Sequence, residues 1–182
     1  MTVEQFLNTI QTHQKQLNQL MNRTLPIKGG ALAKAHFQEN FIKGGFVNNG
    51  LQKWTPAKRT LSGKKAALAN YKTLLSSRNH LFSSIAYIPS PGMVKIINPV
   101  EYAAAHNEGA TFVVKLRQQV IHFNSKGRFN KDNKRAKYAQ KVNIGAHSVT
   151  IPKRQFIGES RELNDKEVRL IEDELRKIVN GK

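Results

Sequence analysis

Two β-rich runs flank a long basic stretch, and this arrangement constrains the fold more than any other feature of the chain. Residues 111–123 hold Phe112, Val113, Val114, Leu116, Val120, Ile121 and Phe123, and residues 142–151 form a second run with strand preference. Between them, residues 124–141 carry seven basic residues, one acidic residue and few apolar ones. So little apolar area cannot offset the entropy of ordering the segment by burial. The two runs are expected to pair, with residues 124–141 as the tip of a long hairpin or a disordered arm.

The rest of the chain is read from period and punctuation. Phe6, Leu7, Ile10, Leu17, Leu20 and Met21 form one stripe of a helix over residues 3–22. Leu25-Pro26 is expected to end it, since Pro disfavours a helical residue before it. Gly29-Gly30 opens a second helix with Leu32, Ala35 and Phe41-Ile42 inward, and Gly44-Gly45 and Asn48-Asn49-Gly50 break the chain. Residues 51–65 read as a loop and residues 66–77 as a helix. Residues 82–88 and 93–98 read as strands joined at Pro89-Ser90-Pro91-Gly92, and residues 100–107 as a short helix or extended arm ending near Gly109. In the C-terminal helix, Asn164 is the expected cap, Glu167 the third helical position, and Leu163 with Val168 a hydrophobic staple. Val168, Ile171, Leu175 and Ile178 recur along it, and Asn180-Gly181 stops it. The expected fold is α+β, an antiparallel sheet of about four strands packed by helices from both ends of the chain. It is one domain: N-terminal helices in residues 1–50, a sheet core in 51–160 with the basic insertion 124–141, and a C-terminal helix in 161–182.

Charge decides the class of partner. Thirty Lys and Arg against twelve Asp and Glu leave +18. By segment the balance is +6 for residues 1–60, +3 for 61–111, +9 for 112–160 and zero for 161–182. Such a field attracts polyanions: nucleic acid, acidic protein faces or anionic membrane. In the arm, Lys126, Arg128, Lys131, Lys134, Arg135 and Lys137 are spaced among Phe129 and Tyr138. This suits a backbone-tracking, base-stacking contact or folding on an acidic protein, and equally a solvated loop.

Enzymatic chemistry has no local support. The chain lacks cysteine, which removes disulfides, thiolate metal sites and cysteine nucleophiles. Its six histidines are scattered without metal-ligand spacing, and no phosphate loop or nucleophile elbow occurs. No catalytic residue, metal, cofactor or small-molecule substrate is expected. The N-terminus has no signal-peptide pattern, and no apolar run reaches the roughly 18 residues of a membrane span.

Three blocks then occur in order. Leu81-Phe82-Ser83-Ser84-Ile85 precedes Val94-Lys95-Ile96-Ile97. Glu101-Tyr102-Ala103-Ala104-Ala105-His106-Asn107-Glu108-Gly109 follows, and then Ile151-Pro152-Lys153-Arg154-Gln155-Phe156-Ile157-Gly158 before the last helix. With Trp54-Thr55-Pro56 upstream, this resembles the phage virion morphogenesis family over most of residues 50–180. Arg78-Asn79 stands where that family has a Thr/Ser-Gly pair; Asn is the next-best residue for a positive φ. The long basic insertion also departs from the family.

The resemblance implies a structural role, completing or joining a phage tail at the virion neck as a ring, with no active site. It implies other tail or neck proteins and further copies of the chain as partners, with phage DNA as a possible contact, in the host cytoplasm during assembly and then in the virion. Tyr102, His106, Arg154 and Phe156 are its candidate assembly residues. Tyr102 and His106 would share a helical face. Arg154 would make a two-pronged bond, within the chain or across subunits, and Phe156 would anchor the chain on the core. In a ring, Glu172, Asp173 and Glu174 of one subunit would receive the basic hairpin of the next. The rival reading is a basic nucleic-acid-binding protein of ribosomal or chromatin type. A hydrolase of cell wall or nucleic acid is weaker, for want of motifs.

Overall fold

Thr2 starts the first helix, α1 (Val3–Gln19): its hydroxyl accepts the Gln5 backbone N–H while the Gln5 side chain accepts the N–H of Thr2. The computed structural model describes residues 2–61, 71–129 and 136–180. No residue of α1 is buried, so the stripe of Phe6, Leu7, Ile10 and Leu17 remains exposed rather than facing a core. The break expected at Leu25-Pro26 does not occur. A π-helical turn (Leu20–Thr24), in which the Leu25 N–H donates to the Leu20 carbonyl, leads directly into α2 (Leu25–Lys43). Pro26 lies in the first turn of α2, where its missing N–H has no helical partner to lose. Gly30 stays helical because the Tyr87 ring and Val94 pack on it, and a Cβ there would collide with both.

After Gly44, which caps α2 with φ +71°, come β1 (Gly45–Val47), β2 (Leu51–Lys53) and α3 (Lys58–Leu61). Of the helix expected over residues 66–77, residues 66–70 lie outside the described residues and 71–77 form turns. Asn79, at φ +45°, takes the left-handed conformation that the Gly of the family pattern would supply, and α4 (His80–Ser83) follows. Next come β3 (Ala86–Ser90) and β4 (Met93–Ile97), joined through Gly92 at φ +69°, and α5 (Ala103–Glu108). The strands β5 (Ala110–Val114), β6 (Arg117–Phe123), β7 (Tyr138–Ile144) and β8 (His147–Ile151) precede α6 (Arg161–Val179).

The fold is α+β. In place of one sheet of about four strands, the described strands form separate antiparallel pairs: β1 with β2, β3 with β4, β5 with β8 and β6 with β7. The chain divides into two compact units, Met1–Glu108 with Pro152–Lys182, and Gly109–Ile151. The first contains the core. Phe41 is fully buried, edge-on to Trp54 at 5.5 Å and to Phe82 at 5.9 Å, and tilted against Phe156 at 5.1 Å. Leu81, Ile85, Ala103 and Leu163 close around it.

The C-terminal helix begins a turn earlier than its sequence signal indicates. Ser160, not Asn164, is the cap: it is buried, and its hydroxyl accepts the Leu163 N–H at 3.2 Å. Glu162 then accepts the backbone N–H groups of Asn49 (3.1 Å) and Gly50 (2.7 Å), tying α6 to the β1–β2 turn.

His36 is buried among these groups on α2, and neither of its ring nitrogens has a partner among the described residues. Burial first, then the charges of Lys166 and Lys43, hold its pKa below 6.5, against the opposing pull of Glu39 and Glu162. The unfolded chain therefore binds this proton more readily, and stability falls as pH drops below 6.5. The carboxylates of Glu39, Glu162 and Glu174, all lowered, lose their contribution only below 4.5. Between pH 6.5 and 4.5, buried histidine is the main lever. Thermal unfolding followed across that window should show a falling midpoint, and His36→Leu should flatten the slope. A slope unchanged by the substitution would assign the proton uptake elsewhere, His106 being the next group.

Candidate assembly surfaces

Three of the four motif residues meet at one internal junction of the first unit. Arg154 is 8 % exposed. Its Nε donates to the Thr55 carbonyl at 2.8 Å, its Nη2 to the Pro56 carbonyl at 3.3 Å, and its backbone N–H to the His106 carbonyl at 2.8 Å. The guanidinium is thus directed at the Trp54-Thr55-Pro56 segment, joining two sequence blocks. Burial, then the charge of Arg59, lowers its pKa from 12.5. Phe156 is 1 % exposed and packs on Phe41. The Trp54 indole N–H donates to the Gln155 carbonyl at 2.7 Å.

Tyr102 and His106 do share a face. The His106 N–H donates to the Tyr102 carbonyl at 3.2 Å, and the two rings meet edge to face at 5.9 Å. Tyr102 lies at the surface with its hydroxyl 3.1 Å from His80 Nδ1. His106 is half-buried, with an unpartnered Nδ1 among the described residues. Burial and then Arg154 lower its pKa. The junction is therefore mostly internal, and Tyr102 is the motif residue it offers to solvent.

Two asparagines, not singled out in the sequence, hold the Phe156 segment from either side. Asn40, 0 % exposed, donates its side-chain N–H to the Phe156 carbonyl at 3.2 Å and accepts the Val47 N–H at 3.2 Å. Asn107 accepts the N–H groups of Phe156 (2.9 Å) and Ile157 (3.0 Å). Asn107 lies inside the second motif block, which was the available signal. Asn40 had none, because a polar residue on a helix reads as surface.

The three acids of α6 are not equivalent. Glu174 is buried, and its carboxylate takes the ammonium groups of Lys177 (2.5 Å) and Lys28 (2.8 Å), which hold it below the usual carboxylate range. Glu172 and Asp173 are exposed. The former lies between Arg169 and Arg176 in sequence, so that face carries both signs.

The second unit is a β-ribbon. Val114 pairs with His147 and Arg117 with Ile144, so β5–β8 and β6–β7 continue in one register across the break at residues 115–116 and 145–146. Each side of the ribbon is on the order of 45 Å of extended chain. No described residue of it is buried, and Phe112, Val113, Leu116, Val120 and Val149 are exposed. Toward the tip, the Phe123 and Tyr138 rings stack at 5.3 Å and 15°. Asn124 accepts the N–H groups of Lys126 (2.9 Å) and Arg128 (3.0 Å), and Phe129 bridges back to Phe123. Lys126, Arg128 and Lys137 are exposed; Lys131, Lys134 and Arg135 lie outside the described residues. Nine Lys and Arg against Asp132 alone give residues 109–151 a net +8.

Among the described residues no three His, Asp or Glu side chains converge as metal ligands, and no helix is long and apolar enough to cross a membrane. No curated protein and no solved structure matches the chain. The sequence profile of the phage virion morphogenesis family matches residues 1–180. With nearly its whole length so matched, the chain belongs to the phage virion morphogenesis family, whose role is structural and is carried out with other proteins of the virion.

Proposed function

We propose that this chain is a non-catalytic tail-completion part that closes or joins the phage tail at the neck as a ring, with the β-ribbon as its main contact element. The ribbon carries the reading: about 45 Å of paired chain with no described residue buried, a row of exposed apolar side chains and a net +8. A two-stranded ribbon is marginal alone in water, so its exposed apolar surface fits a binding surface. Head-to-tail contacts between identical subunits close into rings when the rotation permits. The net charge of +18 keeps free subunits apart at low salt, so ring formation should need high concentration, screening salt or a tail end. Assembly takes place in the host cytoplasm, and the ring then remains in the virion.

Native mass spectrometry over a concentration and salt series, with and without tails lacking this protein, tests the reading. A closed oligomer, or saturable binding to tail ends, is expected. A monomer under every condition that also leaves the tails unoccupied would refute it. The rival reading rests on the ribbon tip, where stacked Phe123 and Tyr138 and exposed Phe129 adjoin Lys126, Arg128 and Lys137. If nucleic acid is the main partner, affinity for single-stranded DNA should fall steeply with salt, and self-association should need DNA.

A further inference from the structure

On the first unit an apolar groove of about 250 Å³ runs between the start of α2, the β3–β4 turn and α6. Met21, Pro26, Met93, Leu170 and Ile171 line it, and one carboxyl, that of Glu167, stands among them. Glu167 is half-buried and makes no hydrogen bond or ion pair with any described residue. Burial alone pushes its pKa up, with no cation offsetting it. This is an acid in apolar surroundings without a partner, in a chain with an excess of cations. The groove is below the roughly 300–1,000 Å³ of small-molecule pockets, and suits one or two side-chain anchors of a protein partner.

The ribbon carries the complementary feature at the break between its paired segments. Leu116, 68 % exposed, stands opposite Gly145, which offers no side chain across the ribbon and has open space where a Cβ would be. Lys115 and Arg117 flank it, and Val113 nearby is 73 % exposed. An apolar knob between two cations matches an apolar groove holding one unpaired carboxylate. Burying Glu167 against a cation and Leu116 against the methionines removes both costs together.

We infer that the Glu167 groove is the seat of the ribbon of a second copy of this chain, with Leu116 as the anchor and Lys115 or Arg117 as the partner of Glu167. The exposed stripe of α1, Phe6, Leu7 and Ile10, is the other apolar segment on the molecule, but no cation adjoins it: Lys15 lies beyond its far end. The inference rests on the proposed self-association and assigns its two faces.

The chain has no cysteine, so single-cysteine variants report the contact directly. Leu116→Cys and Met93→Cys subunits, mixed with wild-type-like assembly conditions and oxidised, should give the mixed disulfide dimer in preference to either homodimer. Glu167→Lys should weaken self-association at least about tenfold, the effect of losing some 1.4 kcal/mol. Adding Lys115→Glu and Arg117→Glu to it should restore assembly. If the wild type assembles but the mixed dimer is absent and the charge reversal rescues nothing, the groove assignment is wrong while self-association stands. Two other outcomes also overturn it: cross-linking of Met93→Cys to Phe6→Cys, which gives the groove to α1, or a disulfide only within one chain carrying both substitutions. A wild type that never self-associates removes both readings.

Discussion

Replacing residues 115–146 by a two-residue Asn-Gly turn is expected to leave the first unit folded and to abolish tail assembly. Val114 and His147 are directly paired in β5–β8, so an Asn-Gly turn can close the shortened hairpin with the twist its strands need. The excised ribbon has no buried described residue, and its cross-strand pairs contribute only about 0.2–1 kcal/mol each. The Phe41 core, the Arg154 junction and the Ser160 cap all lie in the other unit. Calorimetry should therefore show an unfolding transition close to that of the full chain. In a phage lacking the gene, the shortened protein should give no more infective particles than no protein at all. Full complementation would show that the ribbon is dispensable and would remove it as the contact element. Loss of the unfolding transition would make it a structural part of the core.

The ribbon was legible because hairpin pairing depends on local pattern: two β-rich runs around a polar segment leave few other arrangements. The motif blocks were legible as a set, and the structure shows why they occur together. Arg154, His106 and the Trp54-Thr55-Pro56 segment bond to one another through backbone carbonyls. Three features were not legible, each for a physical reason. The passage from α1 to α2 was hidden because a π turn allows a helix to run into Pro26, and no composition rule marks such a turn. The start of α6 was misplaced because Ser160 and Asn164 both precede helical residues, and only burial of Ser160 under the β1–β2 turn selects between them. The α1 stripe reads as a core face, yet nothing in the described chain covers it. Periodicity shows that a helix has an apolar face, not what meets it.

The asparagines around Phe156 lead to the sharpest stability prediction, since Asp should be tolerated at one and not at the other. Asn107 acts on this segment as an acceptor: its Oδ1 takes the N–H groups of Phe156 and Ile157. A carboxylate accepts both, and charge-assisted bonds are stronger, so Asn107→Asp should cost little beyond its repulsion with exposed Glu108. Asn107→Leu should leave two N–H groups without their acceptor, at about 1–3 kcal/mol each. Asn40 acts in both directions, donating to the Phe156 carbonyl and accepting from Val47. Asn40→Asp keeps the acceptor, loses the donor and sets a carboxylate against a carbonyl at a site with 0 % exposure. An uncompensated buried charge costs about 3–5 kcal/mol, a large part of the 5–15 kcal/mol typical of a folded domain. Asn40→Asp should therefore unfold at much lower denaturant than Asn107→Asp, and its midpoint should recover partly as pH falls and the carboxyl takes up a proton. Equilibrium denaturation of the four proteins, wild type included, at two pH values would decide. Equal midpoints for the two Asp variants would mean that the Phe156 segment is not held by these bonds.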